Sequence, residues 1–554
     1  MHATLRNRPD RPGRARRVRA VAAFAAAALA TPLLLTASTG SATAAGGHDP
    51  GKEGEKLAKR LVQKTSAKSA GRHLLALQAI AHASKGNRAA GFPGHERSAK
   101  YAGTLLKAAG YKVTYQDFEF TFRETLAEKL RVLSPEQRDV PLTLMTYTKS
   151  TPEGGVEATV AEAPVDADDT TGCTAADYAS GAFTGKIALI KRGGCTFAEK
   201  QAAAAEAGAV GALIYNNAEG ALNGTLGDPE AARVPTGGLG KAEGEALSAL
   251  VAKGEVKINL ELRERQEQRT TPNVLAETRG GDPDNVVMVG AHLDSVSEGP
   301  GINDNGSGSA GVLETALQLA KADHKGKHTN KVRFALWSAE ELGLLGAEHY
   351  VEKLPAAERE KIALYLNFDM IASPNFGIFA YDGDDSDGTG SGPGPEGSAR
   401  LEKDLVDFMA TRGLETRGTD FDGRSDYGPF IAAGIPAGGT FTGAEGIKTA
   451  EQRELWGGTA GAAYDGCYHQ ACDTLKNVDK RAFDANVKAI ANAVGHYAWD
   501  TGPLAEGKAK PTKKSESTES TESTKKAQGV QGSEHTQETK TAKPAPYKGG
   551  HLVR

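Results

Sequence analysis

From residue 266 onward the chain alternates short apolar runs with helical ones, and this rhythm constrains the fold more than any other feature of its 554 residues. NVVMVGAHLDS, KVRFALWSAEE and KIALYLNFDMI read as strands, while NGSGSAGVLETALQLAKA and GLLGAEHYVEKL between them read as helices. Strands separated by helices predict an α/β fold, a mostly parallel central sheet with helices on both faces. The polar residues cluster where strands run out. His292 and Asp294 follow VVMVGA, Glu340 and Glu341 follow VRFALWSA, and Asp369 follows LYLNF, with Asp304 in GINDNGSGS. In open parallel sheets, sites form beyond the carboxyl ends of the strands, so these residues are expected at one edge. His469, in YDGCYHQACDT, is a further contributor.

The rest of the chain divides around this segment. Arg14, Arg16, Arg17 and Arg19 precede VAAFAAAALATPLLL and then SATAA. This order reads as a secretory signal over 1–45, because the apolar run is shorter than the roughly 20 residues a spanning helix needs. Arg16-Arg17 would also suit a twin-arginine signal, although a basic leader is the simpler account. Residues 46–129 include LLALQAIA and SAKYAGTLLKAAGY, both with helical spacing, and Gly110 is placed to stop the second helix. Within 130–265, KIALIKRGGCTFAEKQAAAAEAGAVGALIYNN reads strand, helix, strand, a small α/β unit inserted before the main segment 266–503. The polar, repetitive segment 504–554 cannot bury enough apolar surface to fold and is expected to be disordered. A net charge of −4 gives no reason to expect nucleic acid or an anionic membrane as partner. Four cysteines allow three pairings; their positions favour Cys173–Cys195 within the insert and Cys467–Cys472 around His469.

Taken one at a time, these polar residues have ordinary explanations. Asp304 between glycines suits a turn, and Glu340–Glu341 suits a helix N-terminus. Together they resist such an account, because Asp369 within LYLNFDMI would be a buried carboxylate without a partner. Two histidines and three carboxylates do suit two zinc ions, with one carboxylate bridging. Asp294, two residues after His292, is positioned to orient that imidazole.

RGGCTFAEK followed by AEAGAVGALIYNN resembles the protease-associated domain, a non-catalytic module inserted into exported peptidases. AHLDSVSEGPGINDNGSGSAGVLE, WSAEELGLLG, YLNFDMIASPN, GRSDYGPF, FTGAEGIKTAEQ and CYHQACDTL resemble, in order and spacing, the exported bacterial co-catalytic di-zinc aminopeptidases of the aminopeptidase S type. The resemblance implies a secreted, extracellular zinc-peptidase fold that removes Leu or another large apolar residue from peptide or protein N-termini. It implies that His292 and Asp369 bind one zinc, Glu341 and His469 the other, and that Asp304 bridges them. Glu340 would be the general base acting on the zinc-bridging water, and Tyr468 would polarise the substrate carbonyl. Arg424 and Phe441 match positions used for substrate binding, and a cis peptide is implied after Asp304. Two positions depart from the family. Tyr427 stands where His is common and is expected to alter the rim of the pocket, and Lys488 stands where a second acid would join Asp484 at a calcium site, which makes calcium doubtful. A monomer with no nucleic-acid or membrane partner is expected. A carboxypeptidase on the same scaffold would need more than Arg424 to hold a terminal carboxylate, and a non-enzymatic receptor would be expected to lack ligands or the base.

Overall fold

In the computed structural model, residues 49–505 are described, apart from 167–169, 180, 219, 228 and 391. The expected secretory signal and residues 506–554 of the expected tail lie outside them. No helix among the described residues is long and apolar enough to cross a membrane.

The strand Asp282–His292 lies at the middle of the larger segment, and Val286 through Ala291 are all buried. Alternate side chains of a strand point to opposite faces. Val287, Val289 and Ala291 accordingly join a core with the helices Pro50–Lys64, Ala67–His82, Pro93–Ala108, Gly306–Ala322 and Lys480–Tyr497. Val286 and Met288 face the other way, against Ala347, Tyr350 and Val351 of the helix Leu345–Lys353 and Phe430 of the helix Tyr427–Ala432. Burial on both faces is the pattern of a parallel sheet sandwiched by helices. Gly110, at φ +100°, follows the end of Pro93–Ala108, where left-handed backbone terminates a helix.

The strands Ala437–Phe441, Ile362–Phe368, Asp282–His292 and Asn330–Trp337 lie side by side and run parallel. Their carboxyl ends therefore share one edge. Beyond Asn330–Trp337 comes Lys257–Glu277, antiparallel to it. This strand also pairs along its length with Lys112–Ser134, forming a long antiparallel ribbon. Its far end pairs with Val156–Glu162, which begins a second parallel set: Val156–Glu162, Ile187–Lys191, Gly211–Tyr215 and Thr236–Leu239. The strand–helix–strand reading of the insert corresponds to Ile187–Lys191, Phe197–Glu206 and Gly211–Tyr215. One continuous 14-stranded sheet thus runs through both halves among the described residues. The boundaries expected at 130 and 265 fall inside the two ribbon strands. Disulfides join Cys173 to Cys195 and Cys467 to Cys472.

Candidate active site

His292 is the last residue of its strand, and Asp369 directly follows Phe368, the last of the neighbouring one. Their parallel pairing places His292 Nε2 3.2 Å from Asp369 Oδ1. Asp304 reaches the same place from the N-terminal side of the helix Gly306–Ala322. Its Oδ1 is 3.3 Å from His292 Nε2, and its Oδ2 is 3.3 Å from His469 Nε2. His469 in turn lies 2.9 Å from Glu341 Oε2. Glu340 Oε2 is 3.8 Å from His292 Nε2. The five expected ligands and Glu340 therefore form one cluster, with Asp304 between the two imidazoles.

Secondary interactions hold these side chains in place. Trp337 Nε1 donates to Tyr365 Oη, which donates to Asn367; Asn367 donates to Ser425 Oγ, which donates to Asp369 Oδ2 at 2.6 Å. Asp473 accepts from the backbone amides of Asn303 and Asp304 at 2.8 and 2.9 Å. The fully buried guanidinium of Arg88 donates to the carbonyls of Leu293, Pro300 and Gly301, fixing the segment between His292 and Asp304. The peptide Asp304–Asn305 is cis. Asp294 Oδ1 lies 3.6 Å from His292 Nδ1 and accepts from the Glu340 amide at 3.4 Å. The Cys467–Cys472 disulfide closes the turn that carries Tyr468 and His469, whose rings stack at 3.8 Å.

The electrostatics follow from crowding anions out of water. Burial pushes the Glu340 carboxyl well above the usual carboxylate range; His292 opposes this, while Asp369 and Asp426 add to it. Asp304 is held below its ordinary value despite burial, because His292 and His469 both donate to it. Glu341 Oε1 is buried and has no hydrogen-bond partner among the described residues. Imidazole nitrogens and carboxylate oxygens are zinc's ligand set. A carboxylate spanning two imidazoles, with an unpartnered carboxylate oxygen beside them, fits a pair of cations.

The cluster lies at one side of a cavity of about 580 Å³. Met370, Phe379, Tyr381, Phe441 and Tyr464 supply apolar lining, and Arg424 and Tyr468 stand beside the ligands. Arg424 Nη2 donates to Tyr468 Oη at 3.2 Å, and Nη1 to Glu445 Oε1 at 2.8 Å. Tyr427 lines the same cavity, as a buried wall residue. Its ring packs against Tyr381 and Phe421, and its hydroxyl donates to Asp422 at 2.6 Å and accepts from the Gly423 amide. A tyrosine buries here because its one polar atom is doubly satisfied. Asp484 accepts from Lys488 Nζ at 2.6 Å and from the Ala67 amide at 3.0 Å, so its carboxylate is already paired with an ammonium. Sequence reasoning missed Ser425, Asp473 and Arg88. Ser425 sits within the GRSDYGPF motif, but no local pattern reveals the contacts that Asp473 and Arg88 make with distant segments.

A family model described as Peptidase family M28 matches residues 273–494, and one described as a PA domain matches residues 156–247. A probable lipoprotein aminopeptidase of Mycobacterium tuberculosis is 46% identical over 434 residues, which are 78% of this chain and 84% of that protein. Leucine aminopeptidase 2 of Trichophyton equinum is 45% identical over 419 residues, 76% of this chain and 81% of that one. Among solved structures, a zinc aminopeptidase from Bacillus subtilis matches with TM-score 0.52 and 26% identity, covering 77% of this chain and 94% of the other.

Proposed function

Because the chain belongs to peptidase family M28 with an inserted PA domain, it is an aminopeptidase, and we propose that it is a secreted di-zinc enzyme that removes large apolar residues, Leu foremost, from peptide N-termini. The observation that carries this reading is Asp304 placed 3.3 Å from both His292 and His469 at the side of a cavity partly lined by apolar side chains. His292 and Asp369 would hold one zinc, Glu341 and His469 the other, and Asp304 both. Bound zinc supplies Lewis-acid polarisation of the scissile carbonyl and acidifies the attacking water.

The chain's own groups do the rest. Glu340 takes the water's proton as oxygen bonds to the carbonyl carbon, then delivers it to the departing amide nitrogen as the C–N bond breaks. Tyr468 is held by an Arg424 N–H that uses its oxygen as acceptor, which leaves the phenolic O–H free to donate to the developing oxyanion. The carboxylates of Glu340 and Asp369 suit a free α-ammonium group. Met370, Phe379 and Phe441 suit an apolar first side chain, and the name of the Trichophyton relative, a leucine aminopeptidase, agrees. The basic leader and apolar run before residue 45 support export.

The test compares leucine p-nitroanilide with its N-acetyl derivative, before and after zinc removal. The free-amine substrate should be cleaved, the acetylated one spared, and chelation should abolish turnover until zinc is restored. Comparable cleavage of the blocked substrate, or activity that survives chelation, would overturn the reading.

A further inference from the structure

The segment from Ser338 to Leu344, between the strand Asn330–Trp337 and the helix Leu345–Lys353, carries both glutamates, and Gly346 lies in the first turn of that helix. It is not a relaxed turn. Ala339 and Leu344 have φ of +57° and +63°, left-handed values that non-glycine residues hold only when their surroundings impose them. Internal bonds from Gly343 and Leu344 to the Glu340 carbonyl curl the segment but do not attach it to the sheet.

Asp294, just past the strand Asp282–His292, accepts from the Glu340 amide at 3.4 Å, and the remaining attachment comes from the ribbon strand Lys257–Glu277. Its backbone ladder with Asn330–Trp337 ends at the pair Leu336–Val274. One residue further on, the Asn273 side chain takes over. Its Oδ1 accepts from the Ser338 amide at 3.0 Å, and its Nδ2 donates to the Gly346 carbonyl at 2.8 Å. One carboxamide thus grips both ends of the glutamate segment. Thr271 adds a hydroxyl contact to Ser338 Oγ at 2.6 Å. Asn273, Thr271 and Ser338 are all within 1% of complete burial. The fit is close: a Cβ at Gly346 would stand 2.4 Å from Asn273 Oδ1 and 2.2 Å from the Ser338 carbonyl. Beneath the segment, Ala339, Leu342 and Leu345 pack against Phe118, Phe120 and Phe122 of the other ribbon strand.

The chemistry of the grip selects asparagine. Oδ1 must accept, and Nδ2 must donate to two acceptors, the Gly346 carbonyl and Gln116 Oε1 at 3.1 Å. Aspartate would present an oxygen to two oxygens, and leucine would leave the buried Ser338 amide without its acceptor. We propose that Asn273 is a positioning residue for the hydrolytic reaction: by clamping the two ends of the segment it sets the aim of the Glu340 carboxylate. This rests on Glu340 being the base. The clamp also lies on the strand that continues into the PA insert, so the insert's tether and the catalytic glutamate share one buried contact.

The experiment measures kcat, KM, bound zinc and the pH profile of kcat for Asn273→Ala, Asn273→Asp and Thr271→Val, each also combined with Glu340→Gln. A carboxylate displaced by about 1 Å costs on the order of 10²-fold in rate. Asn273→Ala and Asn273→Asp should therefore lose kcat on that scale, with zinc content and KM little changed and the acidic limb of the kcat profile moved. Thr271→Val should show a smaller loss in the same direction. In the Glu340→Gln background, neither site should lower the residual rate further, because both act through the missing base. A residue that merely stabilises the core would lower the melting temperature and leave kcat per folded molecule within about threefold; that result overturns the proposal, as does loss of zinc in place of kcat. Should the Asn273 variants fail to fold, Thr271→Val decides the matter by the same readouts. An active Glu340→Gln enzyme would refute the assignment of the base; an inactive one beside a fully active Asn273→Ala would refute the clamp alone.

Discussion

Glu341 Oε2 lies 2.9 Å from His469 Nε2, whereas Glu340, its neighbour in the chain, directs Oε2 toward His292 Nε2 at 3.8 Å. The two carboxylates diverge because they occupy the curl closed by bonds from Gly343 and Leu344 to the Glu340 carbonyl. Their substitutions should therefore differ. Glu341→Gln removes an anionic ligand partner of His469 and should leave the purified enzyme short of zinc, by 10-fold or more in affinity on the order expected for a lost metal contact. Equilibrium dialysis against zinc buffers measures this directly, and an unchanged zinc affinity would remove Glu341 from the ligand set.

The Cys467–Cys472 bridge closes the turn that presents Tyr468 and His469. Such a small ring removes about 2 kcal/mol of chain entropy from the unfolded turn. Cys467→Ser/Cys472→Ser should lower both zinc occupancy and kcat while the rest of the fold, held by cores distant from the turn, keeps its far-ultraviolet circular dichroism. An active double variant with full zinc would show that the turn is preorganised without its bridge.

A calcium response is not expected. Lys488 Nζ sits 2.6 Å from Asp484 Oδ2, and an ammonium in contact with the carboxylate repels a divalent cation. Millimolar calcium should leave the melting temperature of the zinc-loaded enzyme unchanged in differential scanning calorimetry. A saturable rise that Asp484→Asn abolishes would contradict this.

Glu402 provides a pH test away from the zinc cluster. Burial pushes its carboxyl up to about 7; the Gly383 amide opposes this, and Asp382, Asp384 and Asp387 reinforce it. Its folded value exceeds its unfolded value, so the protonated form favours the fold. That contribution is complete below the unfolded value of about 4.5 and is lost as pH rises through about 7. Because the side chain is only half-buried, the full effect is discounted to about 1 kcal/mol. Glu402→Gln should melt higher than the parent at pH 8 and match it at pH 4. Equal melting temperatures at both values would show that Glu402 ionises freely in the folded chain.

The catalytic edge was readable because its logic is local. Each strand announces itself by an apolar run, and His292, Glu341 and Asp369 stand within a few residues of where those runs end. Parallel pairing then brings them together without further information. Groups that act across long sequence distances were not readable. TTPNVLAET gives no sign that Asn273 grips Ser338 and Gly346, and GNRAAG gives none that Arg88 braces residues 293–301. The ribbon was missed for a related reason. Asp117, Glu119, Thr121 and Arg123 fill one face of Lys112–Ser134, and Gln116 and Glu124 interrupt the face that carries Phe118, Phe120 and Phe122, which dilutes its apolar alternation. Tyr427, expected at the pocket, does line the cavity, but as a buried wall residue whose hydroxyl is satisfied by Asp422 and the Gly423 amide.

The central claim is that Glu340 moves the proton and does not hold the metal. Glu340→Gln, measured for bound zinc and for turnover of leucine p-nitroanilide in the same preparation, tests it most directly. The account predicts zinc content equal to the parent and a kcat reduced by at least about 10³-fold, near the upper range for a lost general base. Parental turnover, or a loss of activity that follows a loss of zinc, would contradict it.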